Sequence, residues 1–148
     1  MSELDALRDF RLAPLNSRRD MAMLGVLHKF NLGLAPPQLA AFFHRIGAVE
    51  EHPLRCKLRL WQKLHDEQLA TPVDFSSSKL LKRSLFGLAR CYNTLPQNIV
   101  DCKSVRGLQR ELQAGLLRFA ELGVDNWQVL FSTGWKSLPR TKFDSVLA

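Results

Sequence analysis

The sequence predicts an all-α fold, a small irregular helical bundle with a short extended or strand-like C-terminal tail, and three stretches carry that prediction. Residues 105–122, VRGLQRELQAGLLRFAEL, place Val105, Leu108, Leu112, Gly115, Leu116, Phe119 and Leu122 on one helical face. Arg106, Arg110, Gln113, Arg118 and Glu121 share the other face, and Leu117 alone is out of phase. Residues 17–32 are apolar round most of the helical circumference, the pattern of a helix at the centre of a bundle. Residues 54–69, LRCKLRLWQKLHDEQL, gather Leu54, Leu58, Leu60, Trp61, Leu64 and Leu69 on one half of a helix, with Lys57 as the main violation. Over the first seven of these residues Leu54, Cys56, Leu58 and Leu60 also alternate with Arg55, Lys57 and Arg59 as in a strand; the helix is preferred because no glycine or internal proline intrudes.

The boundaries follow from local chemistry. Ser17, with Asp20 three residues on, predicts a cap for the helix through Leu32, and Gly33 with Pro36-Pro37 stops it. Pro37 suits a first helical turn and opens PQLAAFFHRIG, with Gly47 as its terminus. Ser104 or Asp101 caps the helix from 105, and Gly123 ends it. Trp127, Val129 and Phe131 then alternate as a strand does, before a Thr-Gly turn and a polar end expected to fray. The organisation expected is a single helical domain over 1–125 and a loosely packed tail over 126–148.

A chain of 148 residues is long enough to bury roughly 70% of its extended surface on folding, so neither a disulfide nor a metal is needed. With 46% apolar residues it is not depleted enough for disorder. The longest uncharged run, Phe30 to His44, is broken by the proline pair and falls short of the ~20 residues of a membrane span. The opening MSELDALRDF lacks the basic-then-apolar layout of a secretory signal. Cys56, Cys91 and Cys102 are odd in number and form no C-x-x-C pair. An intracellular location, in cytoplasm or nucleus, is the expectation.

Charge is unevenly placed. Residues 1–52 balance six cations with six acids and residues 111–148 balance four with four, whereas residues 53–110 hold eleven cations against four acids. The entire net charge of +7 therefore lies in the middle. A polyanion is the natural partner of such a segment. The candidate phosphate contacts are Arg55, Arg59, Lys63, Lys79, Lys82, Arg83 and Arg90, with Trp61 or Tyr92 as candidate stacking rings. The alternative is a solvated face with local pairs, such as Lys63 with Asp66 or Glu67, and with both aromatics in the core.

Signatures of catalysis are lacking: no glycine-rich phosphate loop, H-E-x-x-H, G-x-S-x-G, paired-cysteine zinc spacing or adjacent aspartates. His44, His52, Cys56 and His65 cluster in sequence, but Pro53 disrupts the helical phasing of His52 with Cys56, and separate surface or half-buried side chains explain them. No enzyme activity, cofactor, metal, membrane or small-molecule substrate is expected.

The order of three segments resembles a known family. PLNSRRDMAMLGVLHKFNLGLAPPQL (14–39), LLKRSLFGLARCYNTLP (80–96) and SVRGLQRELQ (104–113) are similar to the C-terminal region of non-LTR (LINE-type) retrotransposon reverse transcriptases. There a paired-arginine helix is followed by a variable basic stretch, an R-S-F-like segment, a W/Y-N-x-L-P element and a serine-started helix with F-x-x-x-L. The matching residues are Arg18-Arg19, Arg83-Ser84 with Phe86, Tyr92-Asn93 with Leu95-Pro96, and Ser104 with Leu108 and Leu112. Tyr92 stands where tryptophan is commoner and Leu108 where phenylalanine is, and coverage is about 12–122. The likeness begins downstream of the polymerase palm, and the chain shows neither an endonuclease nor a zinc knuckle. It implies an appendage that helps a reverse transcriptase hold RNA or DNA, with sugar-phosphate backbone and a missing polymerase portion as partners. The residues leave two further readings, a helical protein-interaction module and a remnant of a decayed element.

Overall fold

Why the central helix starts where it does is settled by burial of a serine. The structure, a computed structural model, describes residues 2–45, 69–70, 84–125 and 127–131. Helix α1 (Glu3–Asp9) opens with a capping box, in which the Ser2 hydroxyl accepts from the Asp5 N–H and the Asp5 carboxylate accepts from the Ser2 N–H, both at 3.2 Å. Helix α2 (Leu15–Asn31) starts after Pro14, so Ser17 is inside the helix and is not the predicted cap. Its buried hydroxyl donates instead to the Gln128 carbonyl at 2.7 Å. Gly33, at φ 73°, ends α2 as the sequence predicts. Its N–H donates to the Phe30 carbonyl and that of Leu34 to the Lys29 carbonyl, which satisfies the last turn.

The helix expected from Pro37 to Gly47 is cut to α3 (Pro37–Ala40). The chain turns early because Phe43 is drawn into the core, where its ring lies 6.1 Å from Phe30 and stacks on Phe86 at 5.4 Å. His44–Arg45 (β1) then pairs antiparallel with Leu69–Ala70 (β2), His44 opposite Ala70. Leu69 is thus in a strand where the helix over 54–69 was expected to end; residues 54–68 lie outside the described residues.

Three further helices follow among the described residues: α4 (Leu85–Tyr92), α5 (Gln97–Val100) and α6 (Val105–Glu121). Pro96 separates α4 from α5 by standing at the N-cap of α5, where its missing N–H costs nothing. Asn93, just past the end of α4, uses its side-chain amide as a substitute strand. It accepts from the Leu69 N–H through Oδ1 and donates to the Leu69 carbonyl through Nδ2, both at 2.7 Å. Ser104 caps α6 by accepting from the Gly107 N–H at 3.0 Å, and Gly123 at φ 69° ends it. The all-α bundle predicted from the sequence is the observed architecture, with this single pair of two-residue strands among the described residues.

Helix α2 is the hub, packed against α4, α6 and the C-terminal segment. It buries Met21, Leu24, Leu27 and His28 between them. On α6 the predicted apolar face is buried at Leu108, Leu112, Leu116 and Phe119, and Leu117 is buried as well because α6 is covered on a second side. Trp127–Val129 form a 3-10 turn where the alternation reads as a strand, and Trp127, Leu130 and Phe131 join the core. The packed unit therefore extends at least to Phe131, past the boundary at 125; residues 132–148 lie outside the described ones.

Buried polar groups lock α2 in place. His28 Nε2 lies 2.7 Å from the Cys102 carbonyl and must donate to it, which fixes the Nε2–H tautomer and leaves Nδ1 as an acceptor. The Tyr92 hydroxyl donates to that nitrogen at 2.9 Å and accepts from Asn31 Nδ2 at 2.8 Å. One run of aligned hydrogen bonds thereby ties α2 to α4 and to the loop before α6. Tyr92→Phe keeps the ring and removes the middle link, leaving buried polar partners behind. It should cost about 1–3 kcal/mol in urea unfolding. An unchanged midpoint would show that the hydroxyl is not needed.

Candidate functional site

Most of the predicted phosphate contacts, Arg55, Arg59, Lys63, Lys79, Lys82 and Arg83, lie outside the described residues, as do Trp61, His52, Cys56 and His65. Arg90 is exposed on α4. Tyr92 is fully buried and belongs to the core, so it offers no stacking face. Among the described residues no three His, Cys, Asp or Glu side chains group as metal ligands, and no helix is long and apolar enough to cross a membrane.

A cluster of four arginines stands elsewhere in the described structure. Helices α2 and α6 run close together where Gly25 faces α6. A Cβ on Gly25 would lie 2.6 Å from Gln109 Nε2 and 2.9 Å from Val105 Cγ1, so any side chain there would force these two to move. Along this seam a groove of about 590 Å³ carries Arg11 and Arg18 from one side and Arg106 and Arg110 from the other. All four arginines are exposed at its rim. Met21 at 4% and Leu117 at 6% exposure form its floor. Ala22 and Ala114 keep the walls low, and on α6 the Gln109 amide stands between Arg106 and Arg110 while that of Gln113 follows Arg110.

Among the described residues no acid lines the groove. Arg11 meets Glu121 at 3.5 Å, a pair exposed on both sides and so weakly held. Arg18, Arg106 and Arg110 have no carboxylate within ion-pair distance among the described residues, whereas Arg8 pairs with Asp5 and Asp9, and Arg19 with Asp20. The arrangement is four guanidinium groups above an apolar floor, suited to an anion that carries a flat or apolar portion.

Arg11 reaches this rim through an unusual backbone. It is the one non-glycine residue at positive φ among those described, at 54°, in the left-handed position that Gly33 and Gly123 fill after α2 and α6. The same bonding closes α1, with the Arg11 N–H donating to Arg8 and the Leu12 N–H to Leu7. An arginine there costs about 1 kcal/mol relative to glycine, and strain of this kind gathers at functional positions.

The two described thiols, Cys91 and Cys102, are poor nucleophiles. Burial, reinforced by the nearby Asp20 carboxylate, pushes the Cys91 thiol from 9.0 up to about 12. Cys102 is raised by burial and then by Glu111 and Asp101.

Comparison of the chain with family models, curated proteins and solved structures returns no match. The residues that carry the resemblance have structural work of their own. Phe86 stacks on Phe43, Tyr92 and Asn93 make the buried bonds described above, Leu95 is buried, Pro96 and Ser104 start helices, and Leu108 and Leu112 are core. Arg18 of the arginine pair is the exception, since it faces the groove.

Two outcomes follow from these groups. Arg11→Gly should leave the melting temperature unchanged or raised, while Arg8→Gly, in the last turn of α1, should cost about 1 kcal/mol; equal losses would mean that the left-handed site carries no strain. In the native protein at pH 8, iodoacetamide should leave Cys91 unmodified until denaturant is added, as read by peptide mass mapping. Because the folded-state value lies above the unfolded one, this thiol leaves stability unchanged below pH 9.0 and lowers it between 9.0 and about 12. Native labelling of Cys91 at pH 8 would contradict its burial.

Proposed function

We propose that this chain is a non-catalytic nucleic-acid-binding domain that holds sugar-phosphate backbone electrostatically, an appendage related to the C-terminal part of a non-LTR retrotransposon reverse transcriptase. The observation that carries the reading is the groove between α2 and α6, where Arg18, Arg106 and Arg110 stand without acidic partners among the described residues. The charge excess of residues 53–110 supports it, and Arg106 and Arg110 are two of the cations in that excess. Guanidinium groups suit phosphate because their planar fork donates two parallel hydrogen bonds. Contacts of this kind position a strand without reading its bases. The order of segments shared with the retrotransposon family supplies the polymer class.

A second reading, a protein-interaction module, is favoured by Phe10 at 75% and Leu15 at 74% exposure beside the α1–α2 turn. Self-association on sizing at micromolar concentration, reversed by Phe10→Ser and Leu15→Ser, would support it.

Binding is tested by fluorescence anisotropy with labelled RNA at several salt concentrations. If about four phosphates are neutralised, log K should fall with log salt at a slope near −3, about 50-fold between 50 and 200 mM. Arg18→Glu, Arg106→Glu and Arg110→Glu together should flatten the slope by about 2 and weaken binding at every salt concentration. A folded triple variant with the wild-type slope would contradict the reading.

A further inference from the structure

The rim of the groove suits phosphate, but its floor does not. Phosphate oxygens only accept hydrogen bonds and gain nothing from the buried thioether of Met21 or the methyls of Leu117. Gln109 and Gln113 each present both a donor and an acceptor, and half of that capacity has no use on a phosphate. Purine and pyrimidine rings answer both features, with apolar faces for the floor and mixed donor and acceptor edges for the amides. Guanidinium planes also stack on exposed bases.

Shape separates the two forms of nucleic acid. A duplex keeps its bases stacked inside and presents a convex surface, so proteins that read it insert a helix or ribbon into a groove about 12 Å wide. Here the arginines surround a concavity, and among the described residues no element projects between them. A volume of about 590 Å³ falls within the ~300–1,000 Å³ of clefts that enclose small molecules. Only a strand whose bases are unstacked can place a ring inside such a cleft while its phosphates stay at the rim.

We propose that the groove between α2 and α6 takes single-stranded nucleic acid in preference to duplex, seating a base over Met21 and Leu117 with the flanking phosphates on Arg11, Arg18, Arg106 and Arg110. This rests on the phosphate-binding reading above and adds the strand form to it. Among the described residues no aromatic ring lines the groove, so the preference is set by guanidinium stacking, the apolar floor and the amides.

The test uses the full chain and four probes of about ten nucleotides: a single-stranded RNA, the matching single-stranded DNA, the duplex of that DNA, and a DNA strand abasic throughout. At about 150 mM salt both base-bearing single strands should bind about tenfold more tightly than the duplex, and the abasic strand should fall to duplex affinity. Ala114→Phe, which fills the groove from α6, should abolish the single-strand advantage, and Ala22→Phe does the same from α2 should the first variant fail to fold. Equal affinity for single strand and duplex, with the steep salt dependence intact, overturns this inference alone. So does an abasic strand that binds as well as its parent, or a folded filled-groove variant that keeps the preference. Absence of binding at about 50 mM salt overturns the phosphate-binding reading itself.

Discussion

The placement of helix α2 depends on one run of hydrogen bonds, from Asn31 to the Tyr92 hydroxyl, on to His28, and from His28 to the Cys102 carbonyl. Apolar contacts around Leu24, Leu27 and Leu88 would accept small rotations of the helix, because dispersion forces have little direction. Hydrogen bonds between buried groups do not, since each carries a distance and an angle and each lost partner leaves a group unsatisfied. Three segments far apart in sequence meet at this point, so its geometry sets α2, α4 and the start of α6 together. The second fixed point is Gly25, whose bare backbone admits Val105 and Gln109 of α6.

The groove is a product of these two constraints. With α2 held at both places, Arg18 stands across from Arg106 and Arg110, although 88 residues separate Arg18 from Arg106 in the chain. Arg11 joins them only through a left-handed backbone that glycine would occupy more easily. Among the described residues Asp5 and Asp9 engage Arg8 and Asp20 engages Arg19, and at the rim only Arg11 meets an acid, Glu121. Selective pairing of this kind offsets the charge of Arg8 and leaves Arg18, Arg106 and Arg110 without a described carboxylate partner.

Much of the fold is legible in the sequence, for identifiable reasons. Helix α6 announces itself through a strict apolar face, a serine cap and a terminal glycine, all local signals. Helix α2 is recognisable as central because its apolar residues run round the axis. Ser17 misleads because cap and core serines look alike in sequence, and only the Gln128 carbonyl, folded back from the far end of the chain, distinguishes them. The same cause shortens the helix at Pro37, since the pull of Phe30 and Phe86 on Phe43 is tertiary. The site was half legible. Arg106, Arg110 and Gln113 appear on one polar helical face, but charge counted by segment hides Arg11 and Arg18 within a neutral stretch. Charge that is balanced along the chain can still be separated in space.

The account turns on whether phosphates meet those particular guanidinium groups. Arginine side-chain NMR on the isotope-labelled protein, titrated with a short oligonucleotide, observes each Nε–H directly. Signals of Arg18, Arg106 and Arg110 should shift along one common saturation curve while that of Arg8, engaged by Asp5 and Asp9, stays in place. Uniform shifts over every arginine, or shifts confined to residues away from the seam of α2 and α6, would contradict it.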